Sequence, residues 1–380
     1  MGMDNSGFDV ERLSRVGDQI QSDIEQGHYH GAAMRVSRRG EVVVDVLEGY
    51  ANKEAGLALN PDSVFLIMST SKPMANVVAL SLVEKGKLRL HTPVADLIPE
   101  FADFGKGTVN LFNLMTHTSG TAKGVPPFNL VGDIEKITAF VASLPPEAPP
   151  GQRLDYQLIM AQSVIAAMCV RADGGGRSFA TMMAEELFEP LGMNDTNLGP
   201  RSDLMARLCP VKLAKALPNQ MPMDEYAKLL LLDGAEVPGA NVISTMNDLH
   251  RFTEMLRRGG ELDGVRILSP STIKYCARIH TGSLADSGFT GYNGNRHWPE
   301  RPANIGIGFR IRGENVAPGP FGLFNSPSTF GHFGAGSTGI WIDPENELSY
   351  SFLSTGLLEE TYNMERTALL SDLVVSALVS

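Results

Sequence analysis

Ser69 and Lys72 stand three residues apart in Ser69-Thr70-Ser71-Lys72. On a helix that spacing puts a hydroxyl and an amine on one face, one turn apart. A desolvated lysine loses its preference for the charged form and can take the hydroxyl proton; if it stays charged, it lowers the pKa of its neighbours. A serine in a helix's first turn also meets free backbone N–H groups and the positive end of the dipole, which favour a developing oxyanion. The spacing alone is weak, because about one S-x-x-K match is expected by chance in a chain this long. Ser271-Thr272-Ile273-Lys274 is a second match. Context separates them. Ser69 follows the apolar run Val64-Phe65-Leu66-Ile67-Met68 and precedes Pro73 and a strongly apolar stretch, which predicts a buried helix start with proline in the first turn. Ser271 follows Leu268-Ser269-Pro270 at what reads as an ordinary surface helix.

Other chemistry is poorly supported. There is no GxSxG elbow, no HExxH zinc helix and no GxxxxGK[ST] phosphate loop. Residues 334–339, GAGSTG, fit GxGxxG but lead into the β-rich Ile340-Trp341-Ile342-Asp343 rather than a helix, so dinucleotide binding is not expected. His28 and His30 form the only close histidine pair and lack a third ligand. Cys169, Cys209 and Cys276 are odd in number and far apart, which predicts small buried hydrophobes in a reducing compartment.

The elements that must position these groups follow from pattern. Phe8, Val10, Leu13, Val16, Ile20 and Ile24 mark one face of a first helix. Two β-rich runs flank Arg38-Arg39-Gly40 and read as a hairpin from about residue 32 to 51. A helix runs from Ser69 to about Lys85. Residues 110–235 are mostly helical, broken at 125–127 and 145–150, with amphipathic stretches at 177–192 and 245–260. Residues 280–330, rich in Gly, Pro and Asn, resist assignment. Two strands follow around Pro344-Glu345-Asn346, and the tail is a helix. No βαβ rhythm appears, which disfavours Rossmann and TIM-barrel folds. The expected fold is α+β: an antiparallel sheet made by the two ends of the chain (1–85 and 240–380), flanked by the terminal helices. A mostly helical segment (86–239) is inserted, and the active site lies between the two parts.

The 380 residues are 43% hydrophobic and 20% charged, enough for a large core and a poor match to disorder. A net charge of −11 works against binding phosphate backbones, so nucleic acid is not an expected partner. The charged first 30 residues do not resemble a secretion signal, and no run reaches the ~18 apolar residues of a membrane span. A cytoplasmic protein without membrane association is expected; the oligomeric state is left open.

Five segments occur in order: VFLIMSTSKPMANVVALSLVEKGKLRLHTPVADLIPEF, LFNLMTHTSGT, PPGQRLDY, NVISTMNDLHRF and FGHFGAGSTGIWIDPEN. Together they resemble the serine β-lactamase-related family, the branch similar to class C β-lactamases, D-amino-acid amidases and family VIII carboxylesterases. The resemblance implies a β-lactamase/transpeptidase-like fold, an acyl-serine intermediate at Ser69, and no metal or organic cofactor. The family's Tyr-x-Asn tyrosine, a base shared with the lysine, matches Tyr156. The literal Tyr50-Ala51-Asn52 lies in the hairpin, ahead of the nucleophile. At the family's asparagine this chain has Leu158, a departure, because in relatives that amide helps hold the lysine and the substrate's acyl amide. The Lys/His-x-Gly motif matches His332-Phe333-Gly334, the histidine variant of esterase-like members. There His332 donates to the reacting oxygen or polarises Tyr156, Gly334 admits the substrate, and the N–H groups of Ser69 and Ala335 form the oxyanion site. Phe333 and Trp341 are expected at its mouth, and His117 in a structural turn. Met68, Met74, Met160 and Met168 read as core filler. The implied function is a carboxylesterase-like hydrolase of a small ester or acyl substrate. A D-amino-acid amidase, β-lactamase or acyltransferase is the first alternative, and a non-catalytic ligand-binding homologue the second.

Overall fold

The computed structural model describes residues 7–213, 223–287, 296–316 and 319–379. Helix α1 (Val10–Glu25) buries Leu13, Val16 and Ile20 along one stripe, and the Asp9 side chain caps it by accepting from the Arg12 N–H at 3.1 Å. Strands β1 (Gly31–Arg38) and β2 (Glu41–Asn52) form the expected hairpin. Its two-residue turn puts Arg39 and Gly40 at φ +55° and +91°, the left-handed pair that matches the twist of adjoining strands. The short β3 (Leu57–Ala58) adds to β2.

A 3₁₀ turn at Met68–Ser71 then feeds α2 (Lys72–Glu84), in which Lys72 through Leu82 are all buried. Next come α3 (Leu111–Met115), α4 (Ile134–Ser143) and α5 (Met160–Ala172). Helix α5 is also buried from Met160 to Cys169, so α2 and α5 are central helices rather than amphipathic ones. The stretch at 177–192 is less regular than its pattern implies: helix Phe179–Met183 continues as a π turn, Ala184–Phe188, with Leu187 and Phe188 both in the core. Helix α6 (Met246–Arg257) holds the expected amphipathic segment.

Four strands complete the sheet: β4 (Arg310–Ile311), β5 (Phe330–Gly334), β6 (Thr338–Asp343) and β7 (Leu348–Ser354). The seven-stranded order is β4-β5-β6-β7-β1-β2-β3, antiparallel throughout. The chain's two ends meet where Ala32 pairs with Ser354 and Arg38 with Leu348. Helix α7 (Glu360–Ser376) closes the fold beside α1.

Each face of the sheet has its own core. Phe8, Val16, Met34, Tyr350 and Val374 belong to the cluster shared with α1 and α7. Ala33, Ile340, Ile342 and Leu353 belong to a larger cluster with α2, α5 and α6. Met68, Met74, Met160 and Met168 lie in that larger cluster, and the three cysteines are buried free thiols.

Candidate active site

Ser69 sits in the 3₁₀ turn ahead of α2, half-buried. Met68 just before it has φ +48°, a conformation that strains a residue with a Cβ and persists only where the surroundings enforce it. Three contacts do so. Ser71 Oγ donates to the Met68 carbonyl at 2.6 Å, Thr338 Oγ1 donates to the Ile67 carbonyl at 2.8 Å, and Thr338 Oγ1 also meets Thr70 Oγ1 at 2.8 Å. The turn is thereby fastened to the start of β6.

Lys72, 1% exposed, extends its amine back one turn, with Nζ 2.8 Å from Ser69 Oγ. Nζ also donates to the Leu158 carbonyl at 2.6 Å and the Gly239 carbonyl at 2.9 Å. Position 158 therefore still holds the lysine, through its main chain rather than a side-chain amide. Gly239 has φ +78°, and a Cβ there would come within 2.7 Å of Lys72 Cγ. Burial, reinforced by the Arg310 charge, lowers the Lys72 pKa to about 7.

Tyr156 lies on the loop before α5, its side chain hydrogen-bonded to that of Ser69 and its ring centre 5.2 Å from Lys72 Nζ. Burial pushes its hydroxyl above the ordinary phenol value; the nearby Arg310 works in the opposite direction. His117, at φ +57°, packs its ring 4.8 Å from that of Tyr156, and its Nδ1 accepts from the Gln157 N–H at 3.2 Å. The expected structural turn is thus also a wall against Tyr156. Its second partner ring is His332 on β5, 5.9 Å away and 3% exposed. His332 Nδ1 donates to the Phe333 carbonyl at 2.8 Å, which leaves Nε2 the acceptor of the neutral ring. Burial, followed by the charges of Arg310 and Lys72, holds His332 well below its usual pKa.

Gly334 ends β5 against the nucleophile's turn. A Cβ there would meet the Ile67 carbonyl oxygen and Thr338 Oγ1, each at 2.5 Å, so only glycine permits this approach. Asn363 Nδ2 donates to the Gly334 carbonyl at 3.2 Å, and half-buried Ala335 follows in the turn.

Trp341 is a correction. It is 1% exposed, stacks on Tyr350 at 4.8 Å and donates from Nε1 to Ser371 Oγ at 2.9 Å, among the α1 and α7 side chains. Successive strand residues face opposite sides, so Ile340 and Ile342 face the larger cluster and Trp341 the other. Phe333 is also buried, its ring against His332 and the Arg310 guanidinium, and so forms an inner wall rather than a mouth. Elsewhere, Ser271 and Lys274 are exposed on a short helix, Tyr50 is exposed on β2, and His28 Nε2 pairs with the Tyr362 hydroxyl at 2.7 Å.

Three charged groups near the site carried no sequence signal: Arg310, Asp286 and Glu360. Arg310 lies over Tyr156, Asp286 accepts the Tyr156 N–H, and Glu360 feels the charges of Arg310 and Lys72. Burial raises Glu360 to about 7. The first two fall in the unassigned stretch 280–330, and no local periodicity could have located them.

The Beta-lactamase family profile matches residues 16–374. The chain belongs to this family. Esterase/beta-lactamase LipL of Mycobacterium tuberculosis is 26% identical over 367 residues, 87% of this chain and 78% of LipL. A penicillin-binding protein homologue from Caulobacter crescentus superposes with a TM-score of 0.80 at 24% identity, covering 97% of this chain and 98% of that one. A family VIII carboxylesterase superposes at 0.78 and 24% identity, covering 95% and 96%. Both solved structures share the β-lactamase/transpeptidase-like fold of this family member. Among the described residues, no helix is long and apolar enough to cross a membrane.

Proposed function

We propose that this family member is a serine hydrolase that cleaves a carboxylic ester through an acyl-Ser69 intermediate. The observation that carries the reading is the set of partners around Lys72 Nζ: two carbonyl oxygens and one hydroxyl. A neutral amine has two N–H bonds and one lone pair. The two carbonyls take the N–H bonds, and the lone pair is left for the Ser69 O–H. With its pKa lowered to about 7, the lysine reaches that neutral state near physiological pH.

Ser69 Oγ attacks the ester carbonyl carbon as its proton passes to Lys72. The new oxyanion turns toward the N–H groups of Ser69 and Ala335, and losing one such donor typically costs ~10²–10³ in rate. The family resemblance implies Tyr156 as a base shared with Lys72; burial disfavours its anion, so in this proposal Lys72 is the base and Tyr156 remains a phenol. It gives its proton to the departing alkoxide and is reprotonated from Lys72. Water then attacks the acyl carbon, its proton returns by the same route, and the acid leaves with Ser69 restored. Neutral His332 offers Nε2 as an acceptor for the Tyr156 or substrate hydroxyl. This work sits between the sheet (1–85, 240–380) and the helical segment (86–239).

Ester is favoured over amide because Leu158 presents no side-chain amide to a substrate's acyl amide, and because His332 is the esterase-like variant of its motif. The name of the LipL relative keeps β-lactam hydrolysis as a second reading, tested by a chromogenic cephalosporin in parallel. The direct test is hydrolysis of a short-chain p-nitrophenyl ester. Ser69→Ala is expected to abolish it; full activity in that variant contradicts the proposal.

A further inference from the structure

We propose that the Asp286–Arg310 ion pair is a positioning device for Tyr156, and that the Arg310 charge adds to burial in biasing the Ser69–Lys72 couple toward a neutral lysine. It rests on the esterase reading above and extends it to two residues outside the motifs.

One carboxylate does two things. Asp286 Oδ1 accepts the Tyr156 backbone N–H at 3.1 Å, and Oδ2 meets Arg310 Nη2 at 3.4 Å. The guanidinium lies over the Tyr156 ring, its carbon 4.6 Å from the ring centre, and it also lies 5.2 Å from the centre of the Phe333 ring. Tyr156 is thus held by its main chain and covered on its face by the two halves of one ion pair. Both side chains are under 10% exposed, at 8% and 5%. A buried pair of this kind tolerates loss of one partner poorly, which favours a single arrangement.

The chain segment carrying Asp286 is tied to the same loop. Leu154 and Asp286 form a parallel bridge, the Ser287 N–H donates to the Leu154 carbonyl at 3.1 Å, and Ser287 Oγ bonds Asp155. Residues 281–287 and 153–156 therefore behave as one layer, and Arg310 joins that layer to β5 through its pairing with Gly331.

The charge has its own consequence. Among the described residues, the titratable and charged groups facing Lys72 are Tyr156, His117, His332 on β5, Arg310 on β4 and Glu360 at the start of α7; Asp286 and Arg301 interact with Arg310 in turn. Arg310 disfavours protonation of Lys72, His332 and His117 alike, whereas Glu360 favours it at Lys72. Neutralising Arg310 should therefore raise the pH at which Lys72 becomes a base, and neutralising Glu360 should lower it.

The test is the acid limb of the kcat/KM–pH profile for p-nitrophenyl butyrate, with rates of fluorophosphonate labelling at Ser69 as a second readout. Arg310→Gln is expected to move the limb upward by up to roughly one pH unit, the scale of one nearby charge, with burial still holding Lys72 below its ordinary value. It should also cut kcat about 10²-fold by releasing the Tyr156 ring. Arg310→Lys, which keeps the charge, is expected to return the limb to its wild-type position, and Glu360→Gln to move it downward. A folded Arg310→Gln enzyme whose limb coincides with wild type overturns the proposal. Should Arg310→Gln not fold, Asp286→Asn decides: it keeps an acceptor for the Tyr156 N–H but removes the carboxylate that fixes the Arg310 guanidinium over the Tyr156 ring. A fall in kcat at constant KM supports the proposal, and an unchanged kcat overturns it. Failure of wild-type Ser69 to label at all would instead remove the esterase reading on which this rests.

Discussion

In the proposed mechanism Lys72 serves as a base while enclosed by oxygen atoms, and its three partners suit that task unequally. The carbonyls of Leu158 and Gly239 only accept, so they hold the nitrogen in place in either protonation state. Only Ser69 can reverse the direction of its bond. Below a pH of about 7 the protonated lysine donates to Ser69 Oγ and blocks attack; above it the lone pair is available. Activity is therefore expected to rise with pH through about 7, read as the acid limb of kcat/KM. Lys72→Ala should cost about as much as Ser69→Ala, because members of a proton-transfer unit fail together. Tyr156→Phe should cost ~10²–10⁴ in kcat, the usual worth of a positioned acid or base, with a larger deficit for poor leaving groups. Leu158→Ala tests the departure at that position: since the main chain makes the contact, activity should stay within a few-fold of wild type in the same ester assay.

At the scale of elements, the site depends on a close meeting of the strained turn at Met68 with the end of β5. Gly334→Ala would push a methyl group into the Ile67 carbonyl and Thr338 Oγ1, moving the Ala335 N–H away from the oxyanion position. Ester hydrolysis in that variant is expected to fall by ~10² or more while the protein remains folded by circular dichroism. This scale also shows what the sequence made legible. The apolar run before Ser69 and Pro73 after it marked the buried helix start, and the terminal strands and helices were readable because each keeps one period over several turns or pleats. The expectation of Trp341 at the site mouth conflicts with the alternation of Ile340, Trp341 and Ile342: a residue one step from two core isoleucines faces the other side. Arg310 and Asp286 were out of reach for a different reason. Their strand and bridge pairings are two residues long or less, too short to leave a period, and distant chain segments bring them to Tyr156.

Over the whole molecule, the two ends of the chain are locked together beneath the site. Strand β1 pairs with β7, and α1 packs beside α7. Between those helices Asp23, fully buried, accepts from Tyr29 Oη at 2.7 Å and Gln19 Nε2 at 2.8 Å and forms an ion pair with Arg366. Asp23→Ala removes the carboxylate and leaves Arg366 an uncompensated, largely buried cation. The loss is expected to be roughly 3–5 kcal/mol in urea unfolding, with little change in KM for molecules still folded. In the proposed mechanism the protein carries its acyl group on one oxygen, Ser69 Oγ. Intact mass followed by peptide mapping after reaction with a fluorophosphonate tests it most directly. One adduct per chain, on the peptide containing Ser69 and absent from Ser69→Ala, is the predicted result. An adduct on another residue, or undiminished ester turnover with Ser69 unmodified, would contradict it.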